Sequence, residues 1–273
     1  MDGSLKNRDA NMREDEGRGF EAGWAPSASK SFKISPSDPD QTHHLLSPPG
    51  TVLNSQYLIT HDVGLGTFGR VVRCKDLKTQ SSVAVKVIRD IERYVDSAKI
   101  EASIISDVNK GGRRGTELCV KLIGTFYHGR HYCLTFEPLG LSLYDLIKGN
   151  GYAPLPMELC WSVARDLLDG VGYLHSMNLI HTDLKLENIM LKGKDFFEAG
   201  YAGGTVRLPR KAGVKIIDFG GGTYDHEHKG EHVFLVCVLW WYVSVYPYLS
   251  IHLSMYLSVA HSLLSISIDL SHA

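Results

Sequence analysis

Short apolar runs separated by turn-forming residues open the patterned part of the chain. Residues 57–63, 70–76 and 81–88 are rich in β-branched residues, which predicts three strands. Residues 119–128 and 131–137 flank a short glycine-containing turn and predict a hairpin. The first half of this region is therefore expected to be rich in β-structure.

Two longer segments carry apolar residues at the spacing of a helix, and a helical half is therefore expected to follow the β-rich half. In residues 92–108 they are Ile100, Ile104, Ile105 and Val108, and in residues 156–175 they are Val163, Ala164, Leu167, Leu168, Val171 and Leu174. Pro156 suits the start of the second helix, because the first turn has no partner for its missing N–H. Residues 189–192 and 214–218 then predict two short strands, which are separated by a glycine-rich insertion at 193–213.

The two ends of the chain differ from its centre. Residues 1–56 are rich in Ser, Pro, Asp, Asn and Gly, so burial of apolar surface cannot offset the entropy of ordering, and a mostly disordered tail is expected. Residues 232–268 contain no Lys, Arg, Asp or Glu. The expected organisation is a tail at 1–56, a folded domain at 57–230 and an atypical apolar tail at 231–273.

Composition restricts the class of protein. Of the 273 residues, 44% are hydrophobic and 22% are charged, which is ordinary for a soluble globular protein. A net charge of −1 gives no argument for direct binding to nucleic acid or to a membrane surface. The 5 cysteines form no CxxC pair, which favours free thiols in a reducing compartment over disulfides or a zinc site. The charged N-terminal segment has no apolar core, so no secretory signal is expected in it.

The segment Gly64–Val71, with the sequence GLGTFGRV, is the first candidate for chemistry. A dinucleotide-binding turn would open into a helix, whereas a strand pattern follows here. A Walker P-loop would continue with Lys and Ser or Thr, whereas Gly69 is followed by Arg70. Two interpretations of the segment remain. It forms either a hairpin whose bare backbone covers phosphates or an ordinary glycine-rich hairpin.

Lys86, in the sequence VAVK, favours the phosphate-covering hairpin. A lysine in a strand is ordinarily a solvent-facing residue. However, a strand, a glycine-rich loop and two strands, the last carrying Lys, form the arrangement in which that lysine reaches nucleotide phosphates. It then needs a carboxylate to position it, and Glu101 in the next predicted helix is the candidate; without Lys86, Glu101 would be interpreted as a solvated helix residue.

Polar residues also cluster around the last predicted strands. In LIHTDLKLENIM, Asp183 can accept a hydroxyl proton, Lys185 can neutralise a transferred phosphate, and Asn188 can hold a metal through its amide oxygen. In IIDFG, Asp218 leaves a buried strand and can bind Mg²⁺ as a hard oxygen ligand. Each segment alone also fits a polar loop, but four motifs in order, each in the expected context, argue against coincidence.

The motifs GLGTFGRV, VAVK, HTDLKLEN and DFG together resemble those of the eukaryotic protein kinase domain, over residues 57 to about 229. The resemblance implies an α+β, two-lobed protein-kinase-like fold, with a complete β-rich N-lobe at about 57–138 and an incomplete helical C-lobe at 139–230. It also implies ATP and Mg²⁺ as cofactors, and transfer of the ATP γ-phosphate to a protein hydroxyl.

The same resemblance implies roles for individual residues. Asp183 would orient and deprotonate the substrate hydroxyl, and Lys185 would contact the γ-phosphate. Lys86 would grip the α- and β-phosphates and pair with Glu101. The metal ligands would be Asn188 and Asp218. The nucleotide-covering and adenine-binding positions would be Gly64, Leu65, Gly66, Gly69, Val71, Ala84, Phe136 at the gatekeeper position, and Glu137 and Leu139 through backbone groups near them.

Thr182 narrows the resemblance. Most kinases carry Arg before the catalytic Asp, and the HTDLK form is similar to the LAMMER dual-specificity kinases and the SR-protein kinases. The segment FEPLGLSLYDLIKGN, the long insertion before VKIIDFG, and TYDHEHK after it resemble the LAMMER family specifically. Because the usual Arg pairs with an activation-loop phosphate and Thr182 cannot, activity is expected to be independent of that phosphorylation.

The sequence departs from the family pattern at two places. Leu186 stands where the family usually has Pro, a change in loop stiffness without loss of charge. After Lys229, the Ala-Pro-Glu segment and the EHLAMMER stretch of the family are not found in the sequence.

Three interpretations of the apolar tail are open: a membrane anchor, a core segment that replaces missing helices, and translated non-coding or frame-shifted sequence. The abrupt loss of motifs and a short-period Leu-Ser repeat favour the third. Pro247, the many serines and the histidines weaken the membrane interpretation of residues 233–246.

The expected function is a LAMMER-like protein kinase acting on Ser and Thr, and also on Tyr. The alternative is a truncated, non-catalytic kinase-like protein that binds ATP or partners. By resemblance, the substrates would be Arg/Ser-rich splicing factors and the location the nucleus, with the cytoplasm as the second possibility.

Overall fold

The chain forms a β-rich part followed by a mainly helical part, and the structure, a computed structural model, describes residues 43–201 and 203–224. The strands of the first part are β1 (Val52–Leu53), β2 (Tyr57–Leu65), β3 (Gly69–Asp76), β4 (Ser82–Ile88), β5 (Leu122–His128) and β6 (His131–Phe136). They form one antiparallel sheet with the order β1-β2-β3-β4-β6-β5. This sheet contains the three predicted strands and the predicted hairpin.

Alternation along β3 and β4 builds the core of the sheet. Val72 pairs with Val85 and Cys74 pairs with Val83, and all four side chains are almost fully buried in one cluster. Because successive residues of a strand point to opposite faces, the residues between them face the other side of the sheet. That other side carries the candidate site.

One long helix packs against the sheet. Helix α1 (Glu92–Lys110) covers the predicted helical segment. Its buried residues are Ala98, Glu101, Ala102, Ile104, Ile105 and Val108. Ile100 was expected on this face, but its side chain is 60% exposed. The buried arc of the helix therefore includes the acidic Glu101 and excludes the neighbouring isoleucine.

Besides α1, the described residues contain three further helices and three short strand pairs. Helix α2 (Arg113–Leu118) lies between α1 and β5 in the chain. The second part then contains α3 (Leu143–Gly149), α4 (Met157–Ser176), β7 (Leu179–Ile180), a 3₁₀ turn (Leu186–Asn188), β8 (Ile189–Leu191), β9 (Phe196–Tyr201), β10 (Gly204–Pro209), β11 (Val214–Ile216) and β12 (Thr223–Tyr224). Strands β7 and β12, β8 and β11, and β9 and β10 pair antiparallel. The first two pairs hold the chain around Asp218 beside the segment that contains Asp183.

Helix α4 joins this part to α1. Pro156 is its N-cap residue, one position before the helix begins. Tyr173 is buried and donates a hydrogen bond to the Val108 carbonyl at 2.7 Å. Leu168 was expected on the core-facing side, but its side chain is 54% exposed. Among the described residues, fewer apolar side chains of α4 are therefore buried than its sequence pattern predicts.

The insertion predicted only as glycine-rich folds into the hairpin β9-β10. Val206 and Leu208 are buried in a cluster with Leu146 and Ile147 of α3. Asn150, the C-cap residue of α3, accepts a hydrogen bond from the Arg207 amide at 2.7 Å and donates one to the Arg207 carbonyl at 3.0 Å. The hairpin is therefore attached to α3 by apolar packing and by one asparagine side chain.

Replacing Asn150 by alanine is expected to lower the free energy of unfolding by about 1.5 kcal/mol, because two backbone groups of Arg207 lose their partner. Asn150→Asp keeps the oxygen that accepts from the Arg207 amide but loses the donor to the Arg207 carbonyl, so it isolates the contribution of that donor. Urea unfolding and limited proteolysis within residues 196–209 measure the effect. Equal stability of all three proteins would mean that the asparagine does not hold the hairpin.

Residues 43–56 make contacts with the folded domain, although the sequence predicts a disordered tail there. The buried Arg70 guanidinium donates to the carbonyls of Leu45 and Ser47 at 3.0 and 2.7 Å, and Leu53 of β1 is fully buried. The prediction of a disordered tail as far as Gln56 is therefore wrong at its end, because a few aliphatic residues here complete the edge of the sheet. The rest of that tail, at 1–42, lies outside the described residues.

The apolar tail at 231–273 also lies outside the described residues, together with Cys237. The cysteines at 74, 119 and 133 have free thiols. Burial raises the pKa of Cys74, Cys119 and Cys133 to about 12. Within residues 43–201 and 203–224, no helix is long and apolar enough to cross a membrane.

Candidate active site

A cavity of about 210 Å³ lies between the two parts of the molecule. Its lining residues are Val63, Val71, Arg73, Ala84, Lys86, Glu101, Val120, Phe136, Glu137, Leu139, Met190, Ile217 and Asp218. Apolar side chains form most of the wall, and three charged groups that the sequence singled out, on Lys86, Glu101 and Asp218, lie at one end. This division suits a ligand with a flat apolar portion and an anionic portion.

The glycine-rich segment forms the turn between β2 and β3, where the Gly66 amide donates to the Gly69 carbonyl at 2.9 Å. Gly69 is needed by the fold, since a Cβ there would overlap the Val87 carbonyl. A Cβ on Gly64 would meet no protein atom within 4 Å, and one on Gly66 only the Gly69 carbonyl at 3.8 Å. Internal packing therefore does not explain these two glycines, whereas close approach of a phosphate to bare backbone does.

The tip of this turn is held by the start of α1. Phe68 packs edge-to-face on Tyr94 with ring centroids 5.3 Å apart, and the Arg89 side chain donates to the Thr67 carbonyl at 3.0 Å. The Arg89 amide also donates to the Phe68 carbonyl at 3.1 Å. No sequence pattern indicated these contacts, which fix the tip of the turn relative to the helix that carries Glu101.

Lys86 connects three elements of the site. Its Nζ donates to both carboxylate oxygens of Glu101 at 2.9 Å and to Oδ1 of Asp218 at 3.2 Å. Lys86 lies in β4, Glu101 in α1, and Asp218 directly after Ile217, beyond the end of β11. The predicted Lys86–Glu101 pair is thus present, and the predicted metal ligand contacts the same ammonium group.

The protonation of Lys86 and that of Glu101 depend on each other. Burial favours the neutral amine of Lys86, but the charges of Glu101 and Asp218 outweigh burial and raise its pKa above the ordinary value. Burial raises the pKa of Glu101, and the charge of Lys86 opposes that rise. Lys86 is therefore held as a cation with its Nζ at the charged end of the cavity.

The strand end after β6 borders the apolar end of the cavity. Val71, Ala84 and Phe136 line it, and Ala84 pairs with Phe136 across β4 and β6. The Glu137 amide donates to the Lys121 carbonyl at 3.1 Å, and Arg73 donates to the Leu139 carbonyl at 3.3 Å.

These two contacts refine the expected adenine contacts. They engage the Glu137 amide and the Leu139 carbonyl within the protein. The adenine edge is expected to meet the other two backbone groups, the Glu137 carbonyl and the Leu139 amide. Leu65, a further predicted position, pairs with Arg70 in the ladder of β2 and β3 and is not among the residues that line the cavity.

The Glu137 side chain has a separate structural partner. Its carboxylate forms an ion pair with Lys215 of β11 and accepts a hydrogen bond from the Lys121 amide at 2.8 Å. Lys215 is buried and also donates to the Thr116 carbonyl. This pair joins the strand end that borders the cavity to the strand that leads to Asp218.

The catalytic segment of the predicted site lies around Asp183. Its Oδ2 accepts from Lys185 Nζ at 2.6 Å and from Asn188 Nδ2 at 3.0 Å. The Asn188 side chain also donates to the Asp183 carbonyl at 2.9 Å. Because the amide nitrogen of Asn188 faces Asp183, its amide oxygen is directed away from that carboxylate.

His181 supports the strand that leads to Asp218. Its Nε2 bonds the Ile217 carbonyl at 2.9 Å, and its ring packs on Phe219 with centroids 4.9 Å apart. Burial lowers the pKa of His181, so the neutral ring donates from Nε2 at neutral pH. Sequence reasoning did not identify His181 as part of the site, although it directly precedes Thr182.

The donor set of the site fits a nucleotide with Mg²⁺. Asp218 supplies a carboxylate and Asn188 an amide oxygen, and Mg²⁺ commonly takes one or two such protein ligands with phosphates and waters. A Cβ on Gly220 would lie 3.6 Å from Asp218 Oδ1 and 3.8 Å from Glu101 Oε2, so a glycine keeps this end open. Within residues 43–201 and 203–224, no cluster of three or more His, Cys, Asp or Glu forms a protein-only metal site.

Several cavity residues were missed by sequence reasoning. They are Val63, Arg73, Val120, Met190 and Ile217. Arg73 lies two positions after the predicted Val71 in the same strand, so the two-residue period of a strand could have indicated it. Val120 had no such signal, since its place depends on the pairing of its amide with the Ile216 carbonyl at 2.9 Å.

Comparison with protein families and known proteins agrees with this geometry. The family model described as "Protein kinase domain" matches residues 57–244. The chain is 39% identical over 193 residues to the "Serine/threonine-protein kinase Doa" of Drosophila melanogaster, a match that covers 69% of this chain and 23% of that protein. It is equally 39% identical over 193 residues to the human "Dual specificity protein kinase CLK1", covering 69% of this chain and 40% of that protein.

A plant relative and a solved structure extend the comparison. The chain is 36% identical over 207 residues to the "Serine/threonine-protein kinase AFC1" of Arabidopsis thaliana, covering 72% of this chain and 44% of that protein. A crystal structure of a kinase domain matches with a TM-score of 0.63 and 36% identity, covering 70% of this chain and 58% of that one. The chain thus spans less than half the length of these curated relatives.

Proposed function

Since the chain belongs to the protein kinase family, in its LAMMER branch, we propose that it transfers the γ-phosphate of ATP to Ser and Thr hydroxyl groups of proteins, and also to Tyr. ATP and Mg²⁺ are the cofactors of this family. The observation that carries the proposal is the position of Lys86 Nζ, which contacts Glu101 and Asp218 at one end of a cavity that is lined mostly by apolar side chains.

The apolar and charged ends of the cavity have different tasks. Val71, Ala84 and Phe136 enclose a flat base, and the backbone groups near Glu137 and Leu139 orient its edge. The bare backbone of Gly64 and Gly66 leaves room for phosphates above Lys86. When bound, ATP supplies the phosphoryl group and Mg²⁺ neutralises its charge.

Asp183 has the geometry of the proton acceptor. Lys185 and Asn188 both donate to its Oδ2, so these bonds fix the plane of the carboxylate and leave Oδ1 for a substrate hydroxyl. In the proposed reaction, Oδ1 orients that hydroxyl and receives its proton. Lys185 Nζ, bound beside Asp183, supplies positive charge where the phosphate is transferred.

Removal of the metal tests this function in the complete 273-residue chain. Chelation of Mg²⁺ with excess EDTA is expected to abolish transfer of radioactive phosphate from ATP to a general protein substrate, because the charge on the transferred group is no longer neutralised. Added Mg²⁺ should restore it. Binding of a fluorescent ATP analogue, measured on the same samples, reports occupancy of the cavity.

The two measurements separate the candidate functions. Transfer that depends on Mg²⁺ supports a kinase. Binding without transfer at any Mg²⁺ concentration favours the non-catalytic kinase-like protein, and the absence of both contradicts a nucleotide site.

The substrates and location follow from the relatives rather than from the cavity. We propose Arg/Ser-rich splicing factors as substrates and the nucleus as the place of action, with the cytoplasm as the alternative; the resemblance to LAMMER kinases supports this. Phosphorylation of an Arg/Ser-repeat peptide should exceed that of the same peptide with Arg replaced by Gln. Equal rates would contradict the substrate proposal.

A further inference from the structure

Thr182 directly precedes Asp183 and contacts the turn after Asp218, and we propose that it is a positioning residue. In this proposal, which rests on the kinase function proposed above, its hydroxyl holds the segment after Asp218 against the catalytic segment. The bond that carries the proposal runs from Thr182 Oγ1, which donates to the Gly221 carbonyl at 2.7 Å. This distance is ordinary for an O–H···O hydrogen bond.

The backbone of Thr182 is in an unusual conformation for its side chain. Its φ is 67°, in the left-handed region, where a β-branched residue is a genuine outlier. Such strain persists only where surrounding contacts outweigh it, and it is concentrated at functional sites. The φ of Asp218 is 64°, so strained backbone occurs on both sides of the contact.

Gly221 fits closely against the threonine. A Cβ built on Gly221 would lie 2.7 Å from Thr182 Oγ1, closer than packed atoms allow. A side chain at 221 would therefore displace the hydroxyl or move the segment. The Gly222 amide donates to the Phe219 carbonyl at 2.9 Å, so the Gly221 carbonyl belongs to a turn that directly follows Asp218.

Two other contacts hold the chain near Asp218, one on each side of the contact that Thr182 makes. Before Asp218, the His181 ring bonds the Ile217 carbonyl, and after it Thr223 pairs with Ile180 across β7 and β12. The contact of Thr182 lies between these two, three residues beyond Asp218. Three consecutive residues, 180 to 182, thus hold the chain on both sides of the predicted metal ligand.

The consequence concerns the relative position of two carboxylates. Asp183 directly follows Thr182, and Asp218 directly precedes the turn that Thr182 holds. A bond between Thr182 and Gly221 therefore links the placement of the proton acceptor to the placement of the metal ligand. Loss of the hydroxyl should affect Mg²⁺-dependent steps more than binding of the nucleotide base, whose apolar contacts are at the other end of the cavity.

Three variants of the complete chain isolate the hydroxyl. Thr182→Val keeps the β-branched shape, and hence the backbone strain, but cannot donate. Thr182→Ser keeps the hydroxyl. Thr60→Val is the matched control, because Thr60 Oγ1 also donates to a backbone carbonyl, that of Arg73 at 2.9 Å, on the exposed surface of β2.

Hydrogen–deuterium exchange of peptides within residues 217–224 and the Mg²⁺ dependence of ATP-analogue binding and of transfer are measured for all four proteins. For Thr182→Val we expect faster exchange in this segment and a Mg²⁺ concentration at half-maximal binding raised about fivefold, the loss of one hydrogen bond. Thr182→Ser and Thr60→Val should stay within about twofold of the unaltered protein, because neither loses a hydrogen bond to the segment after Asp218.

The outcomes are distinct. The proposal would be overturned if Thr182→Val had the same exchange rate or the same Mg²⁺ dependence as the control Thr60→Val. It would also be overturned if Thr182→Ser, which keeps the hydroxyl, behaved like Thr182→Val. A chain that shows no Mg²⁺-dependent nucleotide binding without any substitution would contradict the kinase function instead. In that case the exchange comparison still decides whether Thr182 holds the segment.

Discussion

Replacement of Lys86 by methionine is expected to lower kcat/KM for phosphoryl transfer by at least about 100-fold, the effect of removing one preorganised positive contact from a developing anion. Methionine has a similar length and fills the same space, so the cavity walls stay in place. What is lost is the ammonium group that contacts Glu101 at 2.9 Å and Asp218 at 3.2 Å. A steady-state assay with varied ATP measures the change.

The same substitution should also affect stability. Glu101 is only 4% exposed and would keep no cationic partner, so we expect a loss of about 2 kcal/mol in the free energy of unfolding, measured in urea. Burial already raises the pKa of Glu101, and without Lys86 it should take up a proton more readily.

Lys99→Met is the control for both measurements. Lys99 lies on the same helix as Glu101 and pairs with Asp96 at 3.1 Å, but both side chains are more than half exposed. Such a pair is worth at most about 0.5 kcal/mol, and its loss should leave transfer unchanged. If Lys86→Met and Lys99→Met have the same activity, Lys86 is not the phosphate-binding lysine.

The sequence predicted the elements whose signal is local. The strands β2 to β4 and helix α1 follow from short-range patterns, and the spacing of the glycines, Lys86, Asp183 and Asp218 follows from motifs that each occupy one turn or strand end. The Lys86–Glu101 pair could also be anticipated, because a lysine among apolar residues in a strand requires a nearby anion.

The exposed apolar residues show the limit of helical periodicity. Ile100 and Leu168 fit the apolar pattern of α1 and α4, yet they are 60% and 54% exposed. On α1 the buried arc includes Glu101, which pairs with Lys86, and Ile100 lies outside that arc. Periodicity records which residues are apolar, whereas the partner across the interface determines which of them are covered.

Contacts between segments that are far apart in the chain could not be predicted from local sequence patterns. Glu137 and Lys215 are 78 residues apart, and nothing in either segment indicates that the carboxylate and the buried ammonium group meet. The hairpin β9-β10 was missed for the same reason, because Asn150, which binds Arg207, is 57 residues away. Both contacts shape the surroundings of the cavity, so the motif residues were predictable and their supports were not.

Asp183→Asn is expected to lower kcat by about 100- to 1,000-fold, the usual contribution of a positioned general base, with little change in ATP-analogue binding. The amide has nearly the shape of the carboxylate, and its oxygen can still accept from Lys185 and Asn188. It cannot take a proton from the substrate hydroxyl. Single-turnover transfer at saturating ATP measures the change without interference from product release.

The control is Asp195→Asn, an exposed aspartate at the start of the insertion, which should leave kcat unchanged. A fall in kcat with unchanged binding would identify Asp183 as acting in the chemical step. A parallel fall in nucleotide binding would instead assign it to ground-state binding. If transfer by the unaltered chain and by Asp183→Asn were equal, the transfer would not use this carboxylate, and the non-catalytic interpretation of the chain would gain the stronger support.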